Sequence, residues 1–265
     1  DGLSATLGTP ALRASLRAAY TGLVLKPDAN VSMSGADLAD EDDDDVFFAP
    51  RRLLAGVEVE LPELFSRQTP LAFFLAQFDL RDESSERIHT QYSGAKISGP
   101  IVPGLYYDAA MVIESGKDEA AEEALLGLLG SAGARYFGPL SSRFELRLLY
   151  GSGTDGSLDA FLPVSPPTLA LAWAPPLGNL MAAEASASLK PLTASPTTAL
   201  RTLQLFARTL LLLTAVDPEY RGTLLEGGVN ARPTSDLGLA LKGGLWLPDG
   251  EDAEYAVKLE VSMAF

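Results

Sequence analysis

The last twelve residues, 254–265, constrain the fold more than any other stretch. Tyr255, Val257, Leu259, Val261, Met263 and Phe265 alternate with Glu254, Ala256, Lys258, Glu260, Ser262 and Ala264. A strict period of two puts these two sets on opposite faces of a β-strand, one apolar and one polar. The sequence stops on the aromatic residue of the apolar face. Such a strand belongs to a sheet that separates the same two environments along its whole width, so the rest of the chain must supply matching strands.

It does. Leu12, Ala14, Leu16, Ala18, Tyr20, Gly22 and Val24 alternate with Arg13, Ser15, Arg17, Ala19 and Thr21, and Leu53, Ala55, Val57, Val59 and Leu61 oppose Arg52, Leu54, Gly56, Glu58 and Glu60. Strands are therefore expected over 11–25 and 51–61 and, by the same reading, over 71–80, 88–98, 105–114, 124–137, 142–152, 179–190, 199–214, 220–232, 237–247 and 254–265. That is twelve strands, and an even number lets both termini lie on one side. One rival reading is helical, over 118–129, where Ala, Glu and Leu have high helix propensity. The five prolines of 153–178 favour one long loop that folds back on itself, because a spanning strand there spoils the order of the connections.

That order is regular. Long connections (26–50, 81–87, 115–123, 153–178, 215–219 and 248–253) alternate with short turns (62–70, 99–103, 138–141, 191–198 and 233–236), several of them bounded by prolines that cannot continue a ladder. Charge follows the same division, since the long connections hold 22 of the 35 acidic residues and four of the 20 basic ones. The remainder of the chain carries a small positive excess. No segment approaches the roughly 18 apolar residues of a membrane-spanning helix, so a membrane would be crossed by strands. A net charge of -15 argues against nucleic acid as a partner, and the absence of cysteine permits an oxidising compartment.

The terminal strand resembles the closing strand of Gram-negative outer-membrane β-barrels, whose chains typically end in an amphipathic strand with a terminal Phe. The resemblance implies an all-β fold, a transmembrane antiparallel up-and-down β-barrel of about twelve strands. It further implies a single domain over 1–265 in the bacterial outer membrane, with outer-membrane lipid around it and the acidic long loops outside the cell. A second stretch, Arg232-Pro233-Thr234-Ser235-Asp236-Leu237 with Gly243-Gly244-Leu245-Trp246-Leu247-Pro248, resembles the C-terminal hairpins of alginate-export-type outer-membrane porins. It implies transport without naming a substrate.

Elementary solvation gives the same polarity. In hydrocarbon an unpaired backbone group costs several kcal/mol, so only a closed sheet spans a bilayer, and an Arg or Lys facing lipid costs roughly 2–4 kcal/mol at the midplane. The charged faces must then look into the bore. Arg13, Arg17, Glu58, Glu60, Asp108, Arg143, Glu145, Arg147, Glu184, Arg208, Glu226, Lys242, Lys258 and Glu260 are the expected pore lining, with Arg52, Asp79, Lys96, Arg135 and Arg232 on the same faces. A soluble barrel would need an apolar interior, because burying so many ions in a dry core costs several kcal/mol apiece. Tyr20, Tyr107, Tyr136, Tyr150, Trp246 and Phe265 stand near strand ends, where aromatic girdles form.

Little else in the sequence carries chemistry. His89 is the single histidine, no serine stands in pattern with it, and a polar rim role is favoured over catalysis. The run Asp42, Asp43, Asp44 and Asp45 could offer oxygens to Ca²⁺, but it lacks the spacing and central Gly of an EF-hand loop. A hydrated acidic loop is the simpler reading. No cofactor motif is present, and no enzymatic activity is expected. The expectation is a passive channel for small polar solutes, anions among them; the alternative is a plugged barrel whose acidic external loops bind other envelope proteins.

Overall fold

The computed structural model describes residues 2–25, 47–81, 87–119, 123–164, 171, 176–250 and 252–263. The acidic run Asp42–Asp45 and Phe265 lie outside the described residues. Thirteen strands form: β1 (Gly2–Gly8), β2 (Arg13–Tyr20), β3 (Arg52–Glu60), β4 (Thr69–Asp79), β5 (Ile88–Val102), β6 (Leu105–Asp118) and β7 (Glu123–Gly138), then β8 (Ser142–Gly151), β9 (Leu180–Leu189), β10 (Gln204–Leu213), β11 (Tyr220–Ala231), β12 (Leu237–Pro248) and β13 (Glu254–Met263). Two single-turn helices, α1 (Leu64–Arg67) and α2 (Thr198–Arg201), sit in connections. Every strand pairs antiparallel with its neighbours in sequence, in one sheet ordered from β1 to β13.

The strand count is one above the sequence reading, because β1 precedes the first expected strand. Leu3, Ala5 and Leu7 face one way and Ser4 and Thr6 the other, in register with β2 from Gly2 opposite Ala19 to Gly8 opposite Arg13. Its turn is closed by Thr9, whose N–H donates to Leu12 O at 2.7 Å. An odd number of strands puts Gly2 and Met263 at opposite ends of the sheet, which corrects the expectation of termini on one side. The helical rival over 118–129 does not form at its described residues, 118–119 and 123–129. β7 pairs with β6 from Asp118 opposite Glu123 to Leu105 opposite Tyr136, and these ladder bonds override local propensity. The strand expected from residue 199 starts at Gln204, after α2.

Hairpins alternate ends, so the short turns gather at one rim and the long connections at the other. β1 and β13 each pair on one side only, and among the described residues they do not pair with each other. The outer face is apolar and open to its surroundings: Leu146 is 64% exposed in the middle of β8 and Val257 72% exposed on β13.

The inner face has two levels. Toward the short turns it is charged. Toward the long connections it is apolar on β9 to β12, with Leu180 of β9, Leu210 and Leu212 of β10, Leu224 of β11 and Trp246 of β12 packed together with Tyr92, Phe161 and Leu177. Trp246 is buried within this cluster, not part of a girdle at a lipid surface. Gly222 makes room for it, with φ +148 and no space for a Cβ against the indole. The interior is therefore not uniformly polar. The apolar level forms because residues of the 153–178 connection, Phe161 and Leu177 among them, turn inward and give those leucines something dry to pack against.

Candidate functional site

The inner charges are assembled by register. Arg13 reaches Glu60 at 3.2 Å and Arg17 reaches Glu58 at 4.0 Å across β2 and β3. Across β6, β7 and β8, Asp108 lies 4.0 Å from Arg135, and Arg135 lies 3.3 Å from Glu145. Glu145 also accepts from Arg147 at 2.9 Å and from Arg143. Arg208 of β10 meets Glu226 of β11 at 3.1 Å, and Glu260 of β13 binds Lys242 at 2.8 Å and Lys258 at 3.0 Å. Glu184 of β9 stands opposite Arg147 on one side and Leu210 on the other. The fourteen residues expected to line a pore thus share one face of the sheet, thirteen of them in these pairs and networks.

Cation and anion are not equally presented. The Glu145 side chain is 6% exposed, beneath Arg135, Arg143 and Arg147, which are 31%, 45% and 41% exposed. The same inequality holds for Arg13 over Glu60, Arg17 over Glu58 and Arg208 over Glu226. Long guanidinium side chains reach past the carboxylates that neutralise them, so these parts of the wall present mainly Arg donors, whereas Lys242 and Glu260 are about equally exposed, at 34% and 37%. Near the short turns the wall also encloses a polar cavity of about 540 Å³ whose lining includes Gln204, Asn230, Glu260 and Ser262.

Closer to the long connections the inner polar groups are dry. Arg52 and Asp79 are fully buried and 3.4 Å apart, and Arg81 binds the same Asp79 oxygen at 2.6 Å. Thr90 and Gln77 complete this cluster at 3.2 Å. Next to it, Tyr92 and Glu114 are buried and turn toward Leu162: Tyr92 Oη donates to Leu162 O at 2.7 Å, and Leu162 N–H donates to Glu114 Oε2 at 2.7 Å. Sequence reading gave neither Glu114 nor Tyr92 a role. Their partner is a loop backbone group, which leaves no trace in side-chain pattern.

His89 lies at the rim of β5, where its Nδ1 accepts from the Asp79 N–H at 3.1 Å and its Nε2 lies 3.5 Å from Glu119. Neither contact provides a nucleophile. Among the described residues no group of three His, Cys, Asp or Glu side chains is placed to hold a metal ion.

No protein-family model matches the sequence, and no curated protein is similar enough to match it. Solved structures do match in fold. A BenF-like porin from Pseudomonas fluorescens Pf-5 superposes with a TM-score of 0.60 at 15% identity, over 98% of this chain and 67% of that one. Pseudomonas aeruginosa OccK11 (OpdR) gives 0.51 at 11% identity, over 94% and 76% of the two chains. OccK5 (OpdH) of the same organism gives 0.50 at 10% identity, over 100% and 81%. The sheet is that of a porin-like β-barrel.

Proposed function

We propose that the chain works as a single-domain channel of the bacterial outer membrane, surrounded by outer-membrane lipid, through which small polar solutes pass passively, with anions preferred. The observation that carries this reading is the inner wall itself, where guanidiniums overlie carboxylates less exposed than they are, while the opposite face of the same strands is apolar. Inverting that arrangement would put Arg143 and Arg147 against hydrocarbon, at roughly 2–4 kcal/mol each near the midplane. The inequality of exposure supports anions over cations, because selectivity follows the charges that a passing ion meets.

Reconstituted into a planar bilayer, the protein is expected to conduct, and a KCl gradient should give a reversal potential on the anion side. Replacing Arg143 and Arg147 together by Ala should move that potential toward cations. A cation-selective wild type, or no shift in the double variant, would refute the preference for anions.

One observation favours a second reading. The apolar level of the interior, with Phe161 and Leu177 packed on Leu210 and Leu224, suits a plugged barrel that acts through its external loops on other envelope proteins. A folded protein that never conducts, in any variant, is what that reading requires.

A further inference from the structure

We propose that residues 152–164 form a fixed strap across the inner wall that sets the narrowest bore of the channel, and that Tyr92 and Glu114 are the positioning residues that hold it. This rests on the channel reading above.

The strap does not leave the mouth of the sheet when β8 ends. Ser152 N–H donates to Leu128 O at 2.8 Å, and Leu128 N–H donates to Ser152 Oγ at 2.9 Å. Asp159 N–H donates to Leu126 O at 2.8 Å, while Asp159 Oδ2 accepts the Leu126 N–H at 2.8 Å. The upper end of β7, which β8 does not reach, is thus occupied by the strap. Between these contacts the chain folds over a tight turn in which Asp155 Oδ1 accepts from the N–H groups of Ser157 and Leu158, both at 3.1 Å.

Phe161 and Leu162 then lie on the inner face. Both backbone groups of Leu162 are taken by the wall, the N–H by Glu114 and the carbonyl by Tyr92. The Phe161 ring packs edge-on against the Tyr92 ring at 6.1 Å. Tyr92 and Glu114 are register partners between β5 and β6, and Glu114 is in turn opposite Gly127 of β7. A Cβ on Gly127 would lie 3.1 Å from Phe161 Cα and 2.7 Å from Glu114 Oε2. One transverse row of the sheet therefore supplies a donor, an acceptor and a gap, all fitted to a single point of the strap. Burying a carboxylate in an apolar surround is costly unless it is well hydrogen-bonded, and Glu114 sits beside the apolar cluster. Its bond to the Leu162 N–H is of the charge-assisted kind that offsets such a cost.

The test is single-channel recording on Tyr92→Phe, Glu114→Ala, Glu114→Gln and the Tyr92→Phe/Glu114→Ala double variant, each paired with a series of neutral sugars of increasing size. Tyr92→Phe keeps the ring and loses only the hydroxyl, so it remains informative should Glu114→Ala fail to fold. The strap predicts higher conductance and a larger size limit for Tyr92→Phe and Glu114→Ala, more so for the double variant. Glu114→Gln should stay near wild type, because its amide oxygen still accepts the Leu162 N–H. A silent wild type with conducting variants also supports the strap. If the wild type conducts and Tyr92→Phe and Glu114→Ala match it in conductance and size limit, the strap is refuted and the channel stands. If Glu114→Gln and Glu114→Ala shift the reversal potential equally at unchanged conductance, Glu114 acts as a fixed charge and the positioning role is refuted. Silence in the wild type and in every variant removes the channel and the strap together.

Discussion

Asp79 is the residue whose loss should be felt most in stability. Its carboxylate receives Arg52 and Arg81, and neither Asp79 nor Arg52 has any exposed side-chain surface. With the Gln77 amide turned so that its oxygen faces Arg52, that oxygen accepts from Arg52 Nη1 at 2.8 Å and its nitrogen donates to Ile88 O at 2.9 Å. Every member of this cluster depends on the central anion. Asp79→Ala leaves two guanidiniums facing each other in a dry site, and removing one partner of a buried pair costs about 3–5 kcal/mol. Denaturant unfolding in detergent should show a loss of that size, and adding Arg52→Met should restore part of it by taking one guanidinium out of the dry site. A loss below about 1 kcal/mol, the range of an exposed pair, would mean that water reaches the cluster.

At the scale of the strand, alternation is what fixes polarity, and one step along a strand should change the sign of a substitution's effect. Leu146 lies outward in the middle of β8, between Ala134 of β7 and Ala185 of β9, while Arg147 beside it lies inward on Glu145. Leu146→Arg is expected to destabilise the protein folded in lipid vesicles by roughly 2–4 kcal/mol. Ser188→Arg, on the inner face of β9, should change stability by about 0.5 kcal/mol or less, and equal losses at the two sites would contradict the assignment of faces. Strict alternation is also why β2, β3, β8 and β13 were legible from sequence, and with them the gathering of fourteen charged side chains on one face of the sheet. β1 was not, since Gly2-Leu3-Ser4-Ala5-Thr6-Leu7-Gly8 contrasts leucine and alanine with small polar residues and offers no charge to mark a wet face. The run Leu210 to Leu213 has no polar contrast of its own, and although Leu210 and Leu212 share the face of Arg208 by period two, nothing local said that leucines on a polar face pack dry. What decides their environment is a loop more than thirty residues away in sequence, and a pairing between loop backbone and the Tyr92–Glu114 row is invisible to any periodic reading.

For the whole molecule the decisive quantity is the number of unpaired strand edges. Among the described residues β1 and β13 each present one unpaired edge, and in hydrocarbon each unsatisfied N–H or C=O costs several kcal/mol. Two bare edges along strands of seven and ten residues amount to a penalty that no outward leucine face can offset, so a sheet of this kind embedded in lipid must have both edges covered. Counting direction along the ladder, strands one and thirteen run the same way, so direct closure would make a parallel pair, whereas an antiparallel partner at each edge would come from further strands. Either arrangement protects the same amides. In lipid vesicles the β1 and β13 N–H groups that lack a neighbour here are therefore expected to exchange with deuterium as slowly as those of β8, which is paired on both sides. Exchange at the rate of loop amides would show that these edges are in water, and the sheet would then not be a wall across a bilayer.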